Sequence, residues 1–151
     1  MPPGVGVGSD FIRSEHSMAI SVSLTDLALE LPASNDDPEA GAVVVFWGAV
    51  RAMEDGRELT GIEYEAHQAM AEHQMRLVAE GAAAKFGVRG ILLHHRIGFV
   101  PVAEPSVVVR VTSSHRGAAF DASQWIMNEL KRVVPIWKRP VFKEAASPAH
   151  A

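Results

Sequence analysis

The chain has 151 residues, 48% of them hydrophobic, no cysteine, and a formal net charge of −4 at pH 7. That length supports one domain with a real core. The acidic balance excludes a non-specific nucleic-acid binder, and the absence of thiols excludes disulfides, thiolate metal ligands and a cysteine nucleophile.

From the N-terminus, "MPPGVGVGSD" is rich in Gly and Pro without periodicity. The closing "EAASPAHA" is small and polar. These predict a disordered tail over 1–18, a single domain over 19–143 and a C-terminal tail over 144–151. No apolar run reaches the roughly 20 residues of a membrane span, and no signal-peptide pattern opens the chain, so no membrane association and a cytoplasmic location are expected.

"AISVSL" alternates, with Ile20, Val22 and Leu24 on one face of an expected strand. "TDLALEL" offers Thr25 as the N-cap of a short helix stopped before Pro32, and "SNDDPEAG" reads as a loop. "AVVVFWGAVR" is a continuous β-branched and aromatic run of the kind a central strand requires, with Gly48 marking a bulge. "MEDGRE" is a turn, and in "LTGIEYEA" Ile62 and Tyr64 oppose Glu63 and Glu65.

A helix is expected from Gln68 to Phe86, ended by Gly87, with Met70, Leu77, Gly81 and Ala84 on its inward stripe. "ILLHHRIG" and "SVVVRVTSS" are two further strands. A second helix is expected over Arg116–Val133, capped by Ser113 or Ser114 and stopped by Pro135. Its predicted inward stripe is Phe120, Ser123, Met127, Leu130 and Val134, with Asp121, Asn128, Glu129 and Arg132 in water. Lys131 projects to the border of the apolar stripe, and Trp125 to the polar side, where a partner surface would explain it. The fold class expected is α+β, a mostly antiparallel sheet with two long helices.

Three basic groups stand at element ends: Arg51, His115 with Arg116, and Lys131 with Lys138 and Arg139. Together they describe a phosphate or carboxylate site, and His115 and Arg116 open a helix whose free amides already favour an anion. Lysines crowded by other cations lose protons more easily, which suits a nucleophile or base. His94 and His95 point to opposite faces of a strand, and His67 and His73 miss the i, i+4 spacing of helical ligands, so no metal and no cofactor are expected. Glu63 and Glu65 share a strand face and read as an exposed edge, which also argues against an RNA-binding sheet.

The segments "GAVVVFWGAVR", "IEYEAHQAMAE", "HHRIG", "SSHRGAAF" and "ELKRVVPIWKR" are similar, in order and spacing, to the large, catalytic subunit of molybdopterin synthase, the MoaE family. The resemblance runs from about Ala19 to Arg139. It implies an α/β hammerhead fold and a sulfurtransferase that converts cyclic pyranopterin monophosphate (precursor Z) to molybdopterin in molybdenum cofactor biosynthesis. It also implies two partners: a small ubiquitin-like subunit carrying sulfur as a C-terminal thiocarboxylate, and a second large subunit, the whole a heterotetramer built on a homodimer. A sulfur-transfer enzyme without cysteine fits a donor that brings its own sulfur.

Carried over residue by residue, the substrate-binding pocket falls on Arg51, His115, Arg116, Lys131, Lys138 and Arg139, with Lys131 and Lys138 catalytic and Arg51 or His115 acting across the dimer interface. Ile136 and Trp137 are expected to anchor the strand that holds Lys138 opposite Lys131. Pro140 replaces an acidic residue usual in the family, and Ala103 a common glycine. The alternative is a non-catalytic module that holds an anion or a partner's tail in the same pocket.

Overall fold

The computed structural model describes residues 19–30, 33 and 37–144; the expected tails lie outside them, apart from Glu144. Eight strands and two helices follow in the order β1 (Ala19–Thr25), β2 (Ala42–Ala49), β3 (Met53–Glu54), β4 (Arg57–Ala66), α1 (Gln68–Phe86), β5 (Gly90–Arg96), β6 (Gly98–Pro101), β7 (Pro105–Ser113), α2 (Arg116–Val133) and β8 (Ile136–Phe142). The first sheet has the order β1-β5-β7-β2, and only β1–β5 is parallel. In the second, β4 pairs with β3, β6 and β8, all antiparallel. The α+β expectation holds.

Alternation explains why both helices sit on one face of the first sheet. Ile91 and Leu93 of β5 and Val107, Val109 and Val111 of β7 join Met75, Val78, Ile126 and Leu130 of the helices in one buried cluster. Each of these larger side chains contributes about 1.5–3 kcal/mol by leaving water. Ile20, Val22 and Leu24 of β1 pack against the same cluster, as their spacing predicted. A smaller core of Val50, Leu59, Ile62 and Val100 fills the second sheet.

Both helices run between the residues read from sequence. Gly87 ends α1 in the left-handed conformation, φ 62°, and its N–H donates to the Ala83 carbonyl. Helix α2 ends at Val134, whose N–H reaches Leu130 O and whose backbone is extended, as the following Pro135 requires. The cap of α2 is His115, without a side-chain hydrogen bond, in place of Ser113 or Ser114; β7 runs through Ser113 and uses it in the sheet.

Several expectations are corrected. Residues 26–30 form no helix: Leu27 N–H donates to Thr25 Oγ1 and Ile97 N–H to Thr25 O, so the chain leaves β1 in a local turn. Strand β2 is an edge strand, not a central one, and Val43, Val45, Phe46 and Trp47 stay exposed; its register does shift at Gly48/Ala49. The buried stripe of α1 is Ala71, Met75, Val78, Ala79 and Ala82, leaving Met70 and Leu77 each 47% exposed. On α2, Phe120 is 59% exposed, and Ala119, Ala122 and Ile126 take the inward positions beside Ser123 and Leu130. Small residues win these faces because the helices approach each other and the sheet closely.

Trp125 is half-buried between the helices, its ring edge-on to Phe86 at 6.1 Å, so the core and not a partner explains it. A Cβ at position 81 would lie 3.2 Å from Trp125 Cη2, which is why glycine stands there. The "MEDGRE" turn is a hairpin in which Asp55 and Gly56 both take positive φ, 51° and 74°, the pairing a two-residue primed turn demands. Ala103 keeps the left-handed conformation of a glycine turn, φ 73°, while its N–H donates to Val50 O at 2.8 Å.

Two stability outcomes follow. Ala103→Gly relieves a left-handed alanine and raises stability by about 1 kcal/mol in urea unfolding; an unchanged or lower midpoint would contradict the strain. Gly81→Leu overpacks the helix contact and lowers stability by about 1–3 kcal/mol, with a wild-type melting temperature as the contrary result.

Candidate active site

The two sheets and α2 enclose a cleft of about 390 Å³. Lys131 reaches it from the last turn of α2, and Lys138 from the third residue of β8. Between those elements stand only Val134 and Pro135, and His67 N–H ties the corner down through Pro135 O at 3.3 Å. The walls between the lysines are largely apolar, with Phe46, Met127, Leu130 and Ile136 among them. A smaller cavity of about 100 Å³ adjoins this cleft; Ala49, Tyr64 and Lys138 line both, and Arg51 lines the smaller one. An anion seated across them meets three cations from β8, α2 and the segment after β2.

Ile136 packs against the main core, as expected of an anchor, but Trp137 is 58% exposed. Alternation on β8 explains both positions. Lys138 points into the cleft, so Trp137 and Arg139 point away, opposite Glu65 and Glu63 of β4. Arg139 lines neither cavity.

His115 and Arg116 are exposed at the N-terminus of α2 and line neither cavity. Sixteen residues of helix at 1.5 Å each put them about 24 Å from Lys131 along the axis. One copy of the chain therefore gathers Arg51, Lys131 and Lys138, and leaves His115, Arg116 and Arg139 apart.

Sequence reasoning missed four polar lining residues, Tyr64, His95, Ser106 and Glu54. Tyr64 and His95 meet edge-to-face with centroids 5.2 Å apart, and both face the cleft. His95 is only 6% exposed, and its Nδ1 is hydrogen-bonded to Arg96 O at 2.8 Å. Burial pushes its pKa below the ordinary imidazole value, partly opposed by that hydrogen bond. His94 turns to the other face and pairs with Ser21 Oγ at 2.9 Å; burial, then the Arg110 charge, lowers it too. Glu54 lines the smaller cavity, its Oε2 buried with no hydrogen-bond partner among the described residues. Side-chain alternation alone gives His94 and His95 opposite faces; only the placement of β4 against β5 reveals which of them meets the cleft.

Nothing among the described residues groups three His, Asp or Glu side chains in a manner suited to a metal ion. No helix among them is long and apolar enough to cross a membrane.

Comparison with known proteins places this arrangement. The family model described as "MoaE protein" matches residues 20–133. A relative from Thermoplasma volcanium, named "Molybdopterin synthase catalytic subunit", is 41% identical over 113 residues, covering 75% of this chain and 82% of its own. One of the same name from Bos taurus is 39% identical over 110 residues, 73% of this chain, and the chain spans only 58% of that relative's length. The X-ray structure of molybdopterin synthase from Staphylococcus aureus superposes with a TM-score of 0.68 at 27% identity, over 87% of this chain and 93% of that one. With the fold and the family match in agreement, the chain belongs to the MoaE protein family.

Proposed function

We propose that this protein is the catalytic subunit of a molybdopterin synthase, a cytoplasmic sulfurtransferase of molybdenum cofactor biosynthesis. The observation that carries the reading is the convergence of Lys131 and Lys138, from different elements, on one apolar-walled cleft, in a chain of the MoaE family. The substrate is cyclic pyranopterin monophosphate. Arg51 and the lysines hold its phosphate and the negative charge that builds during sulfur transfer. The thiocarboxylate tail of a small ubiquitin-like subunit enters the cleft and attacks the pterin side chain through sulfur. Lys131 and Lys138 stabilise the charge and donate protons to the oxygen that leaves. Two lysines facing one cavity exceed what holding a tail would need.

The site is completed by a second copy. Strand β2 is an edge with no further strand beside it among the described residues, and its Val43, Val45, Phe46 and Trp47 are exposed. Ala42 pairs with Ser113, so the start of β2 lies at the N-terminus of α2, while Ala49 at its far end lines both cavities. Seven residue steps of strand span about 24 Å, matching the helix span above. Antiparallel pairing of β2 with its own copy about a two-fold axis sets the start of one β2 beside the end of the other. That brings His115 and Arg116 of each copy to the cleft of its mate. Small subunits at the two clefts make the assembly a heterotetramer.

Reconstitution with cyclic pyranopterin monophosphate and thiocarboxylated small subunit tests this. Lys131→Ala and Lys138→Ala each lower turnover by about 10²-fold or more while still binding the small subunit; wild-type turnover in either variant would sink the assignment. Mixing His115→Ala with Lys131→Ala chains restores about a quarter of wild-type activity, because random dimers place one intact site in half of the molecules. No recovery in a mixture shown to exchange subunits would mean that each site belongs to one chain.

A further inference from the structure

We propose that His95 is the general base of the cleft, its Nε2 taking a proton from the water that splits the acyl–sulfur bond left by sulfur transfer. The inference rests on the synthase reading and adds a residue to it.

The hydrogen-bond pattern fixes what His95 offers. A carbonyl oxygen only accepts, so the contact with Arg96 O places the imidazole proton on Nδ1 and leaves a lone pair on Nε2. Nε2 has no partner among the described residues, yet it is not sealed from solvent, and the space beside the ring is the cleft. The other titratable groups that face it are Tyr64 from β4, Lys131 from α2 and Lys138 from β8. An ammonium group has no lone pair, and a phenol is too weakly basic to take a proton from water. From β7, the Ser106 hydroxyl already donates to Gly48 O at 3.4 Å. His95 is the one effective proton acceptor among the described side chains lining the cleft. Burial favours its neutral form.

The chemistry then divides between the two kinds of residue. A thiocarboxylate is already an anion, so its attack needs positive charge and no base; the lysines supply that. The attack forms a carbon–sulfur bond on the pterin side chain and breaks a carbon–oxygen bond at the same carbon. That oxygen keeps the electron pair and leaves with a proton from a lysine ammonium, and the small subunit's acyl carbon stays bonded to the pterin's new sulfur. Release requires the oxygen of water to bond to that carbon while the carbon–sulfur bond breaks. The sulfur keeps the electron pair and leaves with the pterin as a thiolate. One water proton passes to Nε2, and the new carboxylic acid loses the other to solvent. No oxidant or reductant is consumed. Water is a weak nucleophile, so this is the step that needs a base.

The test is a single-turnover reaction with cyclic pyranopterin monophosphate and thiocarboxylated small subunit, following the covalent small-subunit–pterin adduct by intact mass. In His95→Gln the adduct forms at the wild-type rate, its hydrolysis slows by about 10²–10⁴-fold, and it accumulates. Wild-type hydrolysis also falls as pH drops below the ordinary imidazole value of 6.5, because Nε2 protonates, and His95→Gln lacks that limb. Hydrolysis at the wild-type rate in His95→Gln overturns the inference and leaves the synthase reading standing. So does an equal loss in adduct formation and hydrolysis, which would mark a packing role. Absence of both adduct and product with the wild type overturns the synthase reading and the inference together. If His95→Gln does not fold, His95→Asn takes its place, and adduct hydrolysis at the wild-type rate in that variant overturns the proposal.

Discussion

The corner between α2 and β8 is the constraint on which the site depends. Pro135 prevents the helix from continuing, and the Pro135 carbonyl is held by His67 N–H at the entrance to α1. From there β8 runs antiparallel along β4, so the helix that packs on the first sheet and the strand that completes the second are only two residues apart. The cleft lies in the angle between them. Lys131 and Lys138 flank the corner, and their separation is set by backbone geometry more than by the freedom of two long side chains.

How much of this was legible in the sequence depended on how local its cause was. Gly87 and Pro135 act on their own residues, and both helix ends were read correctly from them. Which face of a helix turns inward is decided by what approaches it, and there the reading by size failed. Phe120 and Leu77 look like core residues, but the close helix and sheet contacts admit Ala119, Ala122, Ala79 and Ala82 instead. The apolar run of β2 was equally misleading. Composition marks it for burial, whereas sheet order leaves it on an edge within this chain.

The candidate site was legible in part for the same reason. Lys131 stood out because it sat on an apolar border, and Lys138 because the family resemblance set it on the strand after Pro135, opposite Lys131. Arg139, one residue on, was grouped with them by charge but is turned away by the same alternation. Tyr64 and His95 carried no local signal, since their meeting across β4 and β5 belongs to the tertiary fold. His115 and Arg116 carried a strong one but lie at the other end of a straight helix.

Pro140 has a consequence beyond the pocket. It sits in β8 opposite Ile62, on a strand whose outer side has no further neighbour among the described residues. A proline there removes a donor from an otherwise extended edge, and the exposed cations Lys138 and Arg139 precede it. The β8 edge of the second sheet is thereby guarded against growing by strand addition. The first sheet has no proline along β2 and keeps an edge able to pair. The β2 and β8 edges thus differ: the first can accept a further strand, and the second is closed to one.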